Sequence, residues 1–210
     1  MDIVRVRFAP SPTGYLHLGS LRTALFNFVF AKKKKGVFIL RIEDTDKERS
    51  KKEFVEDIIE TLNWVGLKPD EGPIFQSERL SLYQQIIEEL IDKGKAYRCF
   101  CSKEELEAKR QEQITRGQTP RYNGKCLTLT REEINQKLSQ GIPYVIRLKV
   151  PQETLIIKDY LRGESKFDLR LIGDFVIAKS ETEPLFNLAT PVDDYYQGIT
   201  HVIRLSLIHI

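Results

Sequence analysis

A histidine, two glycines and a serine near the amino terminus have the types and spacing to bind a phosphate group. His17 stands just before Gly19 and Ser20, and Gly14 closes the Pro-rich segment of residues 9–14. A histidine nitrogen can donate to a phosphate oxygen without adding bulk, and glycine lets a ligand lie against the backbone. These residues predict an anion site, and a histidine that only caps a helix is the alternative.

The flanking sequence predicts the elements that would position this site. Arg5 and Arg7 alternate with apolar residues from Val4 to Phe8, as in a short strand. Farther on, apolar residues recur at helical spacing, which predicts a helix with one buried face. They are Leu21, Ala24, Leu25, Phe28 and Val29. A strand, a tight turn in which Gly14 permits a positive φ, and a helix aim backbone N–H groups and a positive dipole at an anion.

A second group of chemically active residues follows the next predicted strand. Residues 37–40 form a continuous apolar run, which is typical of a buried parallel strand. Arg41, Glu43, Asp44 and Asp46 come directly after it, at the strand end where open α/β sheets bind ligands. We expect the acids to hold a substrate ammonium group. A Mg²⁺ site is the rival interpretation, but the adjacent sequence lacks further ligands for it.

The rest of this first part predicts helices around the sheet. Gly36 is expected to end the first helix, and Ser50 with Glu53 has the spacing of a capping box that opens a second one. Residues 69–73 read as a loop, and a third helix is predicted over residues 82–91. The alternation is that of one half of a nucleotide-binding α/β sheet.

From about residue 95 the pattern changes to short strands. Capping boxes at Ser102 with Glu105 and at Thr130 with Glu133 predict two helices, and residues 116–126 between them form a Gly- and Pro-rich loop. The predicted strands are 96–101, 144–150, 154–159 and 174–179. Strands without long helices between them indicate an antiparallel α+β insertion.

The composition is that of a globular protein rather than a membrane protein or a disulfide scaffold. The 210 residues are 41% hydrophobic and 30% charged, with a formal net charge of +3, which alone does not demand a nucleic-acid partner. No run of about 18 apolar residues occurs, so no membrane association is expected. Three cysteines, an odd number, indicate a reducing compartment. We expect the cytoplasm, with an organelle left open.

The three cysteines could also bind a metal. Two of them form Cys99-x-Cys101, and the third is Cys126. Structural zinc takes four Cys or His ligands in a closed tetrahedral shell, so three thiols leave one position to be filled. A zinc site and a set of reduced structural thiols are both open.

Two stretches of the chain resemble a known family. Residues 7–19, which end in His17-Leu18-Gly19, resemble the first signature of class I glutamyl-tRNA synthetases, whose "HIGH" motif corresponds to residues 17–20. Residues 41–46 are similar to the second stretch of such enzymes, and the resemblance continues to Arg204. It implies a Rossmann-like half-sheet at 1–94, an inserted acceptor-stem-binding α+β domain at 95–184, and a truncated start of the second Rossmann half at 185–210.

The resemblance implies an activity and a set of site residues. The activity is ATP-dependent attachment of L-glutamate to tRNA(Glu) through a glutamyl-adenylate, with Mg²⁺, by a monomer. The implied catalytic residues are His17, Gly19 and Ser20, and the implied ATP-binding residues are Pro10, Thr13, Gly14, His17 and Gly19. The implied glutamate-binding residues are Arg7, Ala9, Ser11, Glu43 and Arg204. Asp46 and Arg49 are implied at the tRNA 3′ end, and Cys99, Cys101 and Cys126 at zinc.

The sequence departs from the family at several positions. Thr128 replaces the histidine that completes the zinc shell in some members, which leaves Tyr122 as the nearest alternative oxygen. Phe186 and Thr190 stand near a tyrosine and an asparagine that contact the amino acid in some relatives. After Arg204 the family continues with a glycine or alanine and then acidic residues, whereas residues 205–210 read Leu-Ser-Leu-Ile-His-Ile. The sequence also lacks the "KMSKS" signature and the anticodon-binding domain that the family implies. We therefore expect a truncated fragment that is inactive or barely stable.

Three functions other than that of a glutamyl-tRNA synthetase are open. A glutamyl-queuosine-type paralogue would attach glutamate to a modified tRNA base, and a glutaminyl-tRNA synthetase would use another amino acid. A non-catalytic tRNA- or nucleotide-binding fragment belongs to a different class. The Pro12-Thr13-Gly14 segment and the long spacer between Cys101 and Cys126 favour the ordinary glutamyl enzyme.

Overall fold

The computed structural model of the chain describes residues 3–204, which form two compact units. Residues 3–80 and 186–204 make up the first unit, and residues 81–185 make up the second. The predicted domain limits after residues 94 and 184 stay predictions beside this division. The predicted tail at 205–210 lies outside the described residues. Within residues 3–204, no helix is long and apolar enough to span a membrane.

The first unit contains a parallel three-stranded sheet. Its strands are β1 (Arg5–Phe8), β2 (Val37–Ile42) and β3 (Glu71–Phe75), in the order β1-β2-β3. Helices α1 (Leu18–Lys33) and α2 (Lys52–Trp64) follow the first two strands. The central strand β2 is buried from its second residue to its last. The predicted buried parallel strand is therefore confirmed. Its continuous apolar run has a physical reason, since the middle strand of a parallel sheet is buried on both faces.

Strand β3 lies where the sequence predicts a loop, so that prediction was wrong. The segment Glu71-Gly72-Pro73 has the composition of a turn, and it is tolerated here because β3 is an edge strand of the described sheet. Gly72 has a φ of 104°, and a Cβ at this residue would lie 2.2 Å from the carbonyl oxygen of Leu40. Only glycine fits that close approach.

Helix α1 buries a different face from the predicted one. Its buried residues are Ala24, Asn27 and Ala31, whereas Leu25 and Val29 are 44% and 52% exposed. Small side chains let the helix lie close to the sheet, and the Asn27 amide donates to the Ile203 carbonyl at 3.0 Å. The predicted face was therefore wrong at its two large aliphatic residues.

Two of the predicted helix-end signals were also wrong. Gly36 does not adopt the left-handed conformation of a closing glycine, and Lys35, with a φ of 52°, adopts it instead. Gly36 is needed for another reason, since a Cβ there would lie 2.2 Å from the Val4 carbonyl oxygen. At α2 the N-cap is Lys51, without a side-chain cap bond, and not Ser50.

The second unit contains antiparallel strands, as predicted. The sheet has the order β4-β5-β8-β9, and β6 pairs with β7 as a separate hairpin. The strands are β4 (Ala96–Cys99), β5 (Val145–Leu148), β6 (Thr154–Asp159), β7 (Gly163–Asp168), β8 (Val176–Ser180) and β9 (Glu183–Pro184). Strands β7 and β9 were not predicted.

The helices of this part follow their cap signals. They are α3 (Leu80–Asp92), which belongs to the second unit from Ser81 onward, α4 (Lys103–Thr115) and α5 (Arg131–Ser139). The capping boxes at Ser102 with Glu105 and at Thr130 with Glu133 are both formed. The chain then returns to the first unit with α6 (Phe186–Tyr196).

Candidate functional site

The loop of residues 9–14 follows β1 directly and is fixed by backbone hydrogen bonds. The Glu43 N–H donates to the Pro10 carbonyl at 3.0 Å, and the Lys51 N–H donates to the Pro12 carbonyl at 3.1 Å. Ala9, Ser11, Thr13 and Gly14, all predicted to bind ligand, share this loop. Gly14 permits a positive φ but does not adopt one, and a Cβ there would meet nothing within 4 Å.

An aspartate that sequence reasoning missed fixes the segment between this loop and α1. The Asp57 carboxylate, on α2, accepts a hydrogen bond from the Leu16 N–H at 2.8 Å. The start of α1 is thereby tied to the neighbouring helix. In the sequence, Asp57 stands one residue before the buried Ile58 of α2. A charged residue beside the apolar stripe of the helix is the only local sign that it fixes the Leu16 backbone.

His17 is the N-cap of α1 and is exposed to solvent. Its Nδ1 accepts from the Ser20 N–H at 3.3 Å, and its Nε2 lies 3.0 Å from the Ser20 hydroxyl. A Cβ at Gly19 would come within 3.0 Å of the His17 ring, so glycine gives the ring its place. The exposed ring at a helix N-terminus can meet an anion, and it also fills the structural capping role.

A buried cluster of charges joins the ends of β1 and β2 to helix α6. The Arg7 Nε donates to Asp194 Oδ1 at 2.9 Å, and the Arg41 Nη1 donates to the same oxygen at 2.8 Å. The Arg41 Nη2 donates to Glu43 Oε1 at 3.1 Å. Arg41 is 0% exposed. Burial alone would lower the pKa of Arg41, but its hydrogen bond to Asp194 and the nearby carboxylate charges outweigh burial and raise that pKa.

Helix α6 contributes further members of this cluster. The Thr190 hydroxyl donates to Glu43 Oε1 at 2.8 Å. Asp193 is fully buried and accepts from Arg79 Nε at 2.7 Å and from the Gln76 side-chain amide at 2.9 Å. Sequence reasoning missed the adjacent pair of aspartates in α6, although two acids in an otherwise uncharged helix could have indicated buried ion pairs.

The other predicted ligand-binding residues lie outside this cluster. Arg204 is exposed, and within residues 3–204 no hydrogen bond or ion pair joins it to the cluster. Asp46 accepts from the Arg49 Nε at 2.6 Å, and both side chains are exposed. The hydrogen bond from Arg49 lowers the pKa of Asp46. Asp44 accepts from the Ser77 N–H and hydroxyl at 2.8 and 2.6 Å, so it ties two loops together.

The three cysteines of the second unit converge on one point. Their sulfur atoms all lie within 4.8 Å of one another, and Cys99 and Cys126 are buried. The Tyr122 hydroxyl lies 3.4 Å from the Cys99 sulfur and 3.5 Å from the Cys101 sulfur. Thr128 instead donates its hydroxyl to the Lys125 carbonyl at 3.3 Å. The three sulfurs supply three of the four donors of a closed tetrahedral zinc site, and the Tyr122 hydroxyl lies beside two of them.

The pKa values of Cys99 and Cys101 are shifted in opposite directions. Burial raises the pKa of Cys101 to about 11. Burial would raise the pKa of Cys99 too, but hydrogen bonds, led by that of Tyr122, outweigh it and lower the Cys99 pKa. The Arg147 guanidinium lies 4.0 Å from the centre of the Tyr122 ring and brings a positive charge to the cluster.

Comparisons with known proteins agree with one another. The family model described as class I tRNA synthetases (E and Q), catalytic domain, matches residues 3–206. A glutamate–tRNA ligase of Coprothermobacter proteolyticus is 51% identical over 96% of this chain and 44% of its own length. Glutamate–tRNA ligase 2 of Thermoanaerobacter pseudethanolicus is 53% identical over 97% of this chain and 43% of its own length.

A solved structure gives the same result. A glutamate tRNA ligase from Elizabethkingia meningosepticum, crystallised in complex with its amino acid, superposes with a TM-score of 0.87 at 39% identity. The match covers 96% of this chain and 43% of that protein. The chain therefore spans less than half the length of the relatives that it matches.

Proposed function

The chain belongs to the class I tRNA synthetases of the glutamate and glutamine type, and we propose that it serves the ATP-dependent attachment of L-glutamate to tRNA(Glu). The observation that carries the proposal is the chain of hydrogen bonds that links Arg7 to Glu43 through Asp194 and Arg41. One arginine, Arg41, and one aspartate, Asp194, hold these two residues together beside the loop of residues 9–14. A cation and an acid held in one cluster suit a substrate with carboxylate and ammonium groups.

The proposed reaction has two steps. A glutamate carboxylate oxygen attacks the α-phosphorus of ATP, which forms glutamyl-adenylate and releases pyrophosphate. A ribose hydroxyl of the terminal tRNA nucleotide then attacks the acyl carbon, which forms the ester and releases AMP. Because charge develops on phosphate oxygens, positioning and electrostatic stabilisation supply most of the catalysis. Mg²⁺ neutralises phosphate charge when bound with ATP.

The first unit would supply the ATP contacts. Pro10, Thr13 and Gly14 lie in the loop after β1, and the N-terminus of α1 carries His17, Gly19 and Ser20. The exposed histidine ring and the positive end of the helix dipole favour a phosphate. A single well-placed donor of this kind contributes about 10²–10³ in rate.

Glutamate would bind between two cations and an acid. Arg7 and Arg204 are proposed to bind its carboxylates, and Glu43 its ammonium group, with Ala9 and Ser11 as additional contacts. Thr190 and Phe186 replace the asparagine and tyrosine of some relatives. Thr190 donates to Glu43, and Phe186 is 63% exposed, so the amide and phenol contacts of those relatives are replaced here by an indirect one.

The tRNA partner would contact both units. Asp46 and Arg49 are proposed for the 3′ end, and the insertion, with proposed limits at 95 and 184, for the acceptor stem. A cavity of about 530 Å³ in the second unit is lined by Glu105 and Glu112, which pair with Lys125 and Lys109. It is also lined by five basic residues, which suit RNA phosphates. They are Lys109, Arg110, Arg121, Lys125 and Arg147.

The cysteine cluster would hold a structural zinc ion. Cys99, Cys101 and Cys126 are the proposed ligands, and the Tyr122 hydroxyl is the proposed fourth donor. Such a site would link β4 to the segment around Cys126 and so stabilise the small second unit. The cytoplasmic location and the monomeric state stay predictions.

Ligand binding by the chain tests the proposed function. Isothermal titration calorimetry should detect ATP and L-glutamate, and L-glutamine should bind more weakly. The substitution His17→Asn should weaken ATP binding, whereas the matched control His201→Asn should leave it unchanged, since His201 contacts Thr200 and the Phe30 ring. A chain that binds neither ligand, or that prefers glutamine, would contradict the proposal.

A further inference from the structure

Helix α6 presents two side chains of the buried charge cluster on one face. Thr190 and Asp194 are four residues apart, so they lie one above the other along the helix. Thr190 contacts Glu43, and Asp194 contacts Arg7. The same helix therefore reaches both of the residues proposed to recognise glutamate.

Asp194 fixes Arg7 in a particular way. Its Oδ1 accepts the Arg7 Nε hydrogen, and within the described part of the chain the two terminal nitrogens of Arg7 make no hydrogen bond. An arginine grips a carboxylate with two parallel N–H donors. Because the Arg7 Nε is bound to Asp194, the Arg7 Nη1 and Nη2 are left to bind a ligand. The same hydrogen bond fixes the orientation of the Arg7 guanidinium relative to α6.

Thr190 and Arg41 fix Glu43 in a comparable way. Both donate to Oε1, at 2.8 and 3.1 Å, and among residues 3–204 the other oxygen, Oε2, accepts no hydrogen bond. Arg41 also donates to Asp194, so that one buried guanidinium connects the two arrangements. The Glu43 side chain is 10% exposed. Because Oε1 is already held by Thr190 and Arg41, an ammonium group bound there would meet the second oxygen, Oε2.

We propose that Thr190 and Asp194 are positioning residues of the glutamate site, which α6 uses to orient Glu43 and Arg7 while Arg41 ties the two together. The proposal rests on the proposed function, because it names the residues that would set affinity for glutamate at that same site. Neither residue contacts substrate in this scheme. Thr190 acts on recognition of the ammonium group, and Asp194 acts on recognition of a carboxylate.

The two roles are separable with ligands that differ by one group. Glutarate has both carboxylates of glutamate but no ammonium group. Thr190→Val, which removes the hydroxyl and keeps the volume, should weaken L-glutamate binding about fivefold and leave glutarate binding unchanged. Asp194→Asn should weaken both ligands about tenfold or more, because a buried hydrogen-bonded charge pair loses its anion.

The test is calorimetry of the 210-residue chain with L-glutamate, glutarate and ATP. Thr190→Ser keeps the hydroxyl and should bind glutamate as the unsubstituted chain does, and ATP affinity should stay within twofold for all variants. Glu71→Gln is the matched control. It also breaks a carboxylate–arginine pair, but its arginine is Arg5, which lies on the same strand as Arg7 and outside the proposed glutamate site. It should bind glutamate normally.

The outcomes separate the two proposals. If the variants fold and bind glutamate as tightly as the unsubstituted chain, the positioning roles are wrong and the proposed function stands. If the unsubstituted chain binds ATP but not glutamate, both are wrong. Should Asp194→Asn fail to fold, the comparison of Thr190→Val with Thr190→Ser decides, since equal glutamate affinity in that pair would overturn the inference.

Discussion

Replacing Arg41 by glutamine should destabilise the first unit strongly. Arg41 is 0% exposed and donates to Asp194, Glu43 and Gln197 at 2.8, 3.1 and 3.1 Å. Without it, Glu43 keeps a hydroxyl but no cation, and Asp194 keeps only Arg7. Removing one partner of a buried ion pair costs about 3–5 kcal/mol, because the remaining charge stays buried without compensation.

That magnitude is a large fraction of the stability of a domain. A single domain has a free energy of unfolding of about 5–15 kcal/mol, so Arg41→Gln should remove about a fifth or more of it. Urea unfolding followed by circular dichroism measures the difference. The control is Glu71→Gln, which breaks the ion pair with Arg5, whose side chains are 25% (Arg5) and 43% (Glu71) exposed. This substitution should lower the free energy of unfolding by no more than about 1 kcal/mol.

A double-mutant cycle sharpens the result. In the Asp194→Asn background one of the carboxylates that needs Arg41 is gone, so Arg41→Gln should cost less there by about 1–3 kcal/mol. A cost below about 1 kcal/mol for Arg41→Gln alone, or costs that add without coupling, would refute the view that Arg41 organises this cluster.

Three further perturbations have clear outcomes. Gly36→Ala places a Cβ 2.2 Å from the Val4 carbonyl oxygen and should cost about 1–3 kcal/mol in urea unfolding, and a neutral effect would contradict the close approach. Ser102→Ala breaks a formed capping box and should cost about 0.5–2 kcal/mol, whereas Ser50→Ala should cost nothing measurable by the same assay, since Ser50 caps no helix. Cys126→Ser should abolish zinc binding measured by metal analysis of the purified chain, and an unsubstituted chain without zinc after purification in zinc-containing buffer would refute the proposed metal site.

Several elements could be predicted because their signals are local. The capping boxes at Ser102 and Thr130 lie within four residues of sequence and form as expected. The apolar run of β2 and the alternation in β1 also gave the right elements. The same kind of signal failed at Ser50, where the chain forms no side-chain cap, so a local pattern is not sufficient.

Other features depended on close approaches that no local pattern encodes. Strand β3 reads as a turn, and it pairs with β2 only because Gly72 can lie against the Leu40 carbonyl. The buried face of α1 follows its small residues, because the helix lies close to the sheet, and not its large aliphatic ones. In both places the space left by a neighbouring element decided the outcome.

The sequence by itself determined the α/β alternation of strands and helices, the two signature stretches and the three cysteines. Only the tertiary structure decided how these residues act together. Arg7 meets Asp194 across 187 positions of sequence, and Glu43 meets Thr190 across 147. Such pairings depend on the return of α6 to the first unit. A buried charge takes whichever partner the fold brings within hydrogen-bonding distance, and no spacing along the chain specifies that partner.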